Sequence, residues 1–249
     1  MFMHTISIWL GRQLYKYAYK LYRPLYFTFK RKQDRIELAL LHRIVQPGDT
    51  VLDIGANIGF YSTVLSLAVG ATGKVICFEP DAENFRHLQD TTRRLSNVAL
   101  HQKAVGAKTG DITLYISDTL NVDHRTYQPA SYKSTEQVHV VALDHYLGAT
   151  QHVDIIKIDI QGFEMEALRG MIGLLSSNEN IRILSEFWPY GLKLSGSSAT
   201  EYILALQSLR FHVSVLIGGR YIPIADTDVS KMDELGQEVY FNIFASRHV

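Results

Sequence analysis

Between Thr50 and Pro80 the chain sets two apolar runs of strand length around a glycine turn and a helical pattern. Thr50–Ile54 reads as a buried strand and Gly55-Ala56-Asn57-Ile58-Gly59 as a tight turn. A helix follows to about Val69, and Lys74–Phe78 is a second strand, followed at once by Glu79. Such a turn lets backbone come close to a ligand, the helix N-terminus offers free N–H groups, and the second carboxylate can bind ribose hydroxyls. The alternation continues. Strands are expected at 98–104, 153–158 and 182–186, helices at 82–95, 164–175 and 200–209, and β structure from His212 onward. Strand-like runs at 111–116 and 137–142 read as an inserted β-hairpin. Near-continuous apolar strands alternating with helices predict an α/β fold with a doubly wound, mostly parallel sheet. Ligands of such sheets bind beyond the C-terminal strand ends, which puts Asp53–Gly59, Glu79, Ala104, Asp159 and Glu186 on one rim.

The turn discriminates between adenosine cofactors. A nicotinamide dinucleotide needs G-x-G-x-x-G, with the second glycine making room for a pyrophosphate. Here Asn57 occupies that place and Asp53 stands just before the turn. A carboxylate repels a pyrophosphate and attracts the ammonium of an amino-acid moiety, which favours S-adenosylmethionine (SAM). A plainer reading stands beside this one, in which Asp53 caps the turn and Glu79 is a solvated strand end.

At 249 residues the chain fits one α/β domain, and we divide it into a basic helical segment, 1–46, and a main domain, 47–249. Formal net charge is zero, but residues 1–35 hold eight Lys/Arg against one acid, Asp34, leaving an acidic body. That balance speaks against a dedicated nucleic-acid binder. Ile6, Leu10, Leu14, Tyr17 and Leu21 share one helical face, opposite Arg12, Lys16, Lys20 and Arg23, and Pro24 is expected to end or kink this helix. The segment 1–33 either docks its apolar face on the domain, the reading favoured here, or lies on an anionic membrane surface. A second helix is expected at 34–45. The single cysteine, Cys77, is expected buried in a strand and fits a reducing cytoplasm. The start lacks the pattern of a signal peptide, and no apolar run reaches the length of a membrane span.

A second dense cluster is Asp154-Ile-Ile-Lys157-Ile-Asp159-Ile-Gln161-Gly162-Phe163-Glu164. Lys157 and Asp159 are two apart on a strand and share a face. Asp159 could orient or deprotonate a hydroxyl or touch the cofactor, and with Lys157 it could equally form a local ion pair. Glu164 could simply be a favourable first-turn acid. The two clusters together, with Pro47-Gly48-Asp49, Phe78-Glu79-Pro80-Asp81, Asn84, Ala104-Val105-Gly106 and Leu143-Asp144, resemble the FkbM family of SAM-dependent methyltransferases. One departure is Gln161, where the family usually carries Glu. The resemblance implies a Rossmann-like class I methyltransferase fold and methyl transfer to a hydroxyl oxygen of a saccharide, glycan or natural product. By position it implies that Asp53, Gly55, Asn57 and Gly59 line the methionine end of SAM, that Glu79 takes the ribose, and that Ala104 meets the adenine. Asp159 becomes the base candidate and Glu186, after the fifth strand, a second one. No metal is assigned.

The polar stretch 117–136 is longer than the roughly 12–15 residues that structureless connections rarely exceed, and it carries His124 as a further base candidate. Competing classes are an oxidoreductase of the nicotinamide type, a nucleic-acid methyltransferase, and a non-catalytic membrane-surface module. The first lacks a convincing Tyr-x-x-x-Lys or His pair, and the second lacks an N/D-P-P-aromatic motif.

Overall fold

The structure is a computed structural model, and it describes residues 11, 13–117, 123–217, 220–224 and 229–248. Two helices, α1 (Tyr19–Gln33) and α2 (Arg35–Ile44), precede β1 (Thr50–Ile54), α3 (Phe60–Val69), β2 (Lys74–Phe78), α4 (Ala82–Thr92) and β3 (Val98–His101). A small excursion follows through β4 (Ala104–Val105), β5 (Gly110–Ile116) and β6 (Ser134–Val141). The chain then re-enters the main sheet with β7 (Ile155–Ile158), α5 (Glu164–Arg169), α6 (Ile172–Ser177) and β8 (Arg182–Phe187). It ends with α7 (Pro189–Leu194), α8 (Ala199–Ser208), β9 (His212–Ile217), β10 (Arg220–Pro223) and β11 (Phe241–Ser246).

The main sheet has the order β3-β2-β1-β7-β8-β11-β9-β10. β3, β2, β1, β7 and β8 run parallel, while β11 is antiparallel to both β8 and β9. The chain winds outward from β1 to β3, then returns to start again at β7 on the other side of β1. The switch point therefore lies between β1 and β7, where Asp53 pairs with Lys157 and Ile54 with Ile158. Strand alternation sorts the two faces. Leu52, Ile54, Ile156, Ile158 and Ile183 pack with Leu168, Leu174 and Tyr202 on one side. Val51, Val75, Cys77, Ile155 and Leu184 pack with Leu40, Leu41 and Leu65 on the other. Asp53 and Lys157 end the second face, beneath α2 and α3.

Several boundaries differ from the sequence reading. The expected strand 98–104 breaks after His101, and Ala104–Val105 leaves for a separate sheet of order β4-β6-β5, so the expected hairpin is part of a three-stranded unit. The expected helix 164–175 is two helices, because the chain at Gly170 lies against the backbone of residue 106. A Cβ at Gly170 would stand 2.0 Å from the Gly106 carbonyl oxygen. Asp144 secures the second piece by accepting from Gly173 N at 2.8 Å and Leu174 N at 2.7 Å. The helix α7 was not expected. Pro24 does not end the first helix: it sits inside α1, and the break falls earlier, at Ala18 (φ −141°, ψ 48°). The lost backbone bond of Pro24 is tolerated because the helix is held by its side chains.

Those side chains are not the ones expected. Ile6, Leu10 and Arg12 lie outside the described residues, but Tyr17 and Leu21 of the apolar face point to solvent, 72% and 63% exposed. Docking instead runs through tyrosines. The Tyr15 hydroxyl donates to Asn84 Oδ1 at 2.8 Å, and Tyr19 stacks on His87 with ring centroids 3.4 Å apart. Phe27 meets Phe60 edge-on. Asp34, at the α1–α2 junction, is buried and accepts from the Tyr61 hydroxyl at 2.7 Å. Among the described residues no helix is long and apolar enough to cross a membrane.

Because the Gly170 contact is backbone on backbone, Gly170→Ala is expected to lower the free energy of unfolding by about 1–3 kcal/mol. Urea denaturation checks this, with Gly236→Ala as the control, since nothing lies near a Cβ there and its φ is not positive.

Candidate active site

The glycine turn after β1 is built for close approach. Gly55 has φ +83°, and a Cβ there would lie 1.9 Å from the Asp159 carbonyl oxygen, so only glycine lets the β1 and β7 ends meet. Gly55 N and Ala56 N both donate to the Phe78 carbonyl, at 2.9 and 3.0 Å, which ties the turn to β2. Asn57 is left-handed (φ 49°), and its N–H donates to Glu79 Oε2 at 2.8 Å. Gly59, φ +89°, starts α3 where a Cβ would touch Leu88.

Glu79 is buried rather than solvated. Its other oxygen accepts from Asp81 N at 3.0 Å. Burial, with Asp81 beside it, pushes its carboxyl up to about 8. Asp81 caps α4 through Asn84 N at 2.7 Å. His124 lies 3.8 Å from Asp81, at the β2 end of the site. Ser117 N donates to its Nδ1 at 3.1 Å, so the neutral ring carries its proton on Nε2. Burial holds His124 below the usual histidine range, against the pull of Asp123 and Glu136. In that form its Nε2–H can donate toward the β2 end. Ala104 is buried in β4 on the same wall.

The other acids gather at the β7–β8 end. Asp53 is fully buried; one oxygen accepts from Ser62 Oγ at 2.7 Å, and the other has no hydrogen-bond partner and faces Lys157 Nζ at 3.9 Å. Burial raises its carboxyl, against Lys157 and Ser62. Lys157 reaches Asp159 at 3.3 Å and sits 4.6 Å over the Tyr61 ring. Burial would raise Asp159, but Lys157, Lys30 and Gln161 outweigh it and hold the carboxyl low. Its side chain stays 31% exposed toward the cleft. Gln161, left-handed at φ 55°, donates from Nε2 to Asp159 Oδ1 at 3.2 Å and to Glu186 Oε2 at 2.8 Å. Burial, with Asp159 and Glu164 nearby, lifts Glu186 well above the carboxylate range. Glu164 does more than begin α5. It is buried and ties the β7 turn by accepting from Gly162 N at 3.1 Å and Ile160 N at 3.3 Å, and burial raises it to about 7.

These ends belong to one cleft of about 1800 Å³. Ordinary ligand pockets run roughly 300–1,000 Å³, so it has space for a cofactor and an acceptor together. Sequence reasoning missed much of its wall. Tyr26, Phe29 and Lys30 of α1 line it, as do Trp188, Arg125 and Gln161. Arg125 lies 4.9 Å over the Trp188 ring and pairs its backbone with Tyr115, so the stretch 117–136 folds back along the cleft; its residues 118–122 lie outside the described set. No local signal marks α1 as a wall of the site, because only docking brings it there. The Gln161 bridge had one signal, the amide standing where the family pattern has an acid. Among the described residues no group of three or more His, Cys, Asp or Glu side chains is placed to hold a metal ion.

A glycine turn and two strand-end acids at the switch point of this sheet define a class I, SAM-binding methyltransferase fold. Over residues 53–213 the chain matches the methyltransferase FkbM domain, and it belongs to that family. The hexuronic acid methyltransferase AglP of Haloferax volcanii is 25% identical over 150 residues, 59% of each chain. Methyltransferase 1 of Beauveria bassiana is 26% identical over 152 residues, 50% of this chain and 59% of its own. The chain thus spans 59% of the length of each of these relatives. A Streptococcus mutans protein solved with S-adenosylhomocysteine superposes with a TM-score of 0.50 at 10% identity, covering 85% of this chain and 95% of its own. A Clostridium thermocellum protein described as a candidate rRNA methylase gives 0.51 at 10%, covering 84% and 92%. At such identities the likeness is one of fold.

The raised carboxyl of Glu79 has a consequence for stability. Its folded value, about 8, exceeds the model-peptide 4.5, so the folded state binds the extra proton between those values. Its contribution is therefore complete below about pH 4.5 and is lost as pH rises toward 8. We expect the cofactor-free wild type to lose melting temperature relative to Glu79→Gln across that window and the difference to level off above it. Thermal scans of both proteins from pH 4.5 to 9 check this.

Proposed function

We propose that this chain transfers the methyl group of SAM to a hydroxyl oxygen of a saccharide, with S-adenosylhomocysteine as the other product. The observation that carries the reading is the Asp159–Gln161–Glu186 bridge, which stands beside the glycine turn in a cleft with room for two ligands. The residues present fit the cofactor. Asp53 has an orphaned buried oxygen suited to a cationic partner, Gly55 leaves a cradle that a Cβ would fill, and Glu79 keeps acceptor capacity for ribose hydroxyls. Asn57, Gly59 and Ala104 would line it. SAM, when bound, supplies an electrophilic methyl on a sulfonium.

The chain's own residues then have to orient a hydroxyl in line with that methyl and take its proton. A good general base has a pKa near the working pH, and the two acids differ in this respect. Glu186, lifted by burial and by Asp159, is the better proton acceptor. Asp159, held ionised by Lys157 and Gln161, is the better orienter. Gln161 suits this division, because a third carboxylate there would repel both while an amide donates to both. His124 serves the adenosine end as a donor.

A uronic acid or similar anionic sugar is the acceptor class we favour. Tyr22 and Tyr26 on the cleft wall give a sugar ring aromatic surface, and Arg125 and Lys30, paired with Asp123 and Asp34, add positive charge to the same cleft for a carboxylate. The relative named a hexuronic acid methyltransferase supports the same choice.

Calorimetry should find SAM binding weakened roughly tenfold or more in both Asp53→Ala and Glu79→Ala, in line with the roughly 1–3 kcal/mol cost of leaving a buried polar partner unsatisfied. Glu186→Gln should lower kcat by about 10²–10⁴-fold with SAM affinity little changed. In wild type kcat/KM should rise with pH as Glu186 loses its proton, and that limb should vanish in Glu186→Gln but persist in Asp159→Asn. Release of S-adenosylhomocysteine is assayed against uronic acid glycosides, neutral glycosides and amines. Turnover on amines alone, or SAM binding with no turnover on any hydroxyl, would overturn the reading.

A further inference from the structure

Residues 13–33, made up of α1 and the short helical stretch before the Ala18 break, are held to the domain through Tyr15, Tyr19 and Phe27, which meet Asn84, His87 and Phe60. Their outward row is Tyr17, ahead of the break, and Leu21, Leu25 and Phe29 of α1, which are 72, 63, 61 and 61% exposed. A surface helix ordinarily buries its large apolar residues and turns polar ones outward. Here the tyrosines are docked and the aliphatic stripe is presented. Contiguous exposed apolar surface of this kind marks an interaction site.

Charge says what lies on it. Residues 13–33 hold six Lys/Arg (Lys16, Lys20, Arg23, Lys30, Arg31 and Lys32) and no acid. Lys16, Lys20, Arg31 and Lys32 are exposed beside the stripe. Of the acids around it, Asp34 is turned inward to the Tyr61 hydroxyl and Lys30, Glu37 reaches Asn242 Nδ2 at 2.8 Å, and the exposed Glu83 and Asp90 lie on the docked side, near Tyr15 and Tyr19. Aliphatic and aromatic side chains flanked by cations on one docked segment match the headgroup and acyl boundary of an anionic bilayer. A second copy of the chain fits poorly, because a two-fold interface would set this row of cations against itself.

We propose that residues 13–33 seat the protein on an anionic membrane surface through Tyr17, Leu21, Leu25 and Phe29, with the flanking lysines and arginines on the lipid phosphates. Leu25 and Phe29 also border the cleft, so its α1 edge lies against that surface. The docking is physical and is read without turnover, so its failure would leave the methyl-transfer reading untouched.

The test is sedimentation of the full chain with phosphatidylcholine vesicles, with and without about a third of the lipid replaced by anionic phosphatidylglycerol. Binding to the anionic vesicles alone, released at high salt, is the expected result. The triple variant Lys20→Gln/Arg31→Gln/Lys32→Gln should weaken it about a hundredfold, at about fivefold per charge. Leu21→Gln should weaken it roughly tenfold. None of these four residues lines the cleft, and an unchanged SAM titration shows that each variant is folded. Three outcomes would overturn the proposal: no binding to anionic vesicles at low salt, binding unaffected by both variants, or light scattering that finds a dimer dissociated by Leu21→Gln.

Discussion

The site depends on one buried cation. Lys157 projects from the middle of the main sheet, under Tyr61, and faces two carboxylates that the fold drives together at the switch point. Without it the buried Asp53 and the part-exposed Asp159 would be two like charges on adjacent strand ends without their nearest counter-charge, an arrangement that costs more than it returns. With it, Asp159 stays ionised in the cleft while Asp53 keeps one oxygen unsatisfied. The parallel pairing of β1 with β7 puts these groups in register, and the absence of a side chain at Gly55 lets the two turns touch.

Around this centre the acids are sorted by environment. Glu79 and Glu164 are each tied to two backbone N–H groups and still pushed toward neutrality by burial. Burial raises Glu186 as well, with Asp159 charged beside it. Two carboxylates bridged by one amide, one held ionised and one raised, form an asymmetric pair, and asymmetry is what acid–base work requires. The crowding of negative charge at a site with an orphaned acceptor also suits a cofactor that brings a sulfonium and an ammonium.

The N-terminal helix joins the two halves of the functional argument. Its inner face closes the cleft and its Lys30 helps hold Asp159 low, while its outer face carries the apolar stripe. One element thus sets the electrostatics of the site and presents the largest exposed apolar row among the described residues. Which face does which follows from tyrosines meeting Asn84 and His87 on α4, contacts of high sequence separation.

The sequence alone determined the strands and helices around the cofactor turn, because strand-length apolar runs and a glycine turn are local signals: β1 and β2 have the expected bounds. It also marked the rim, since acids that end apolar strands must emerge at a sheet edge. Asp53, Glu79, Asp159 and Glu186 all lie there. Tertiary structure decided the rest. Nothing local says that the strand begun at Val98 breaks after His101, or that a helix must break at Gly170 to clear residue 106. Nor does the helical wheel of residues 13–33 say which side docks, since hydrophobicity ranks Leu21 above Tyr19 while hydrogen bonding and stacking favour the tyrosine. Gln161 was visible as a departure, but its meaning as a bridge between two acids appeared only when β7 and β8 were laid side by side. Periodicity and punctuation are written in neighbouring residues, whereas the partners of a buried charge are chosen by topology.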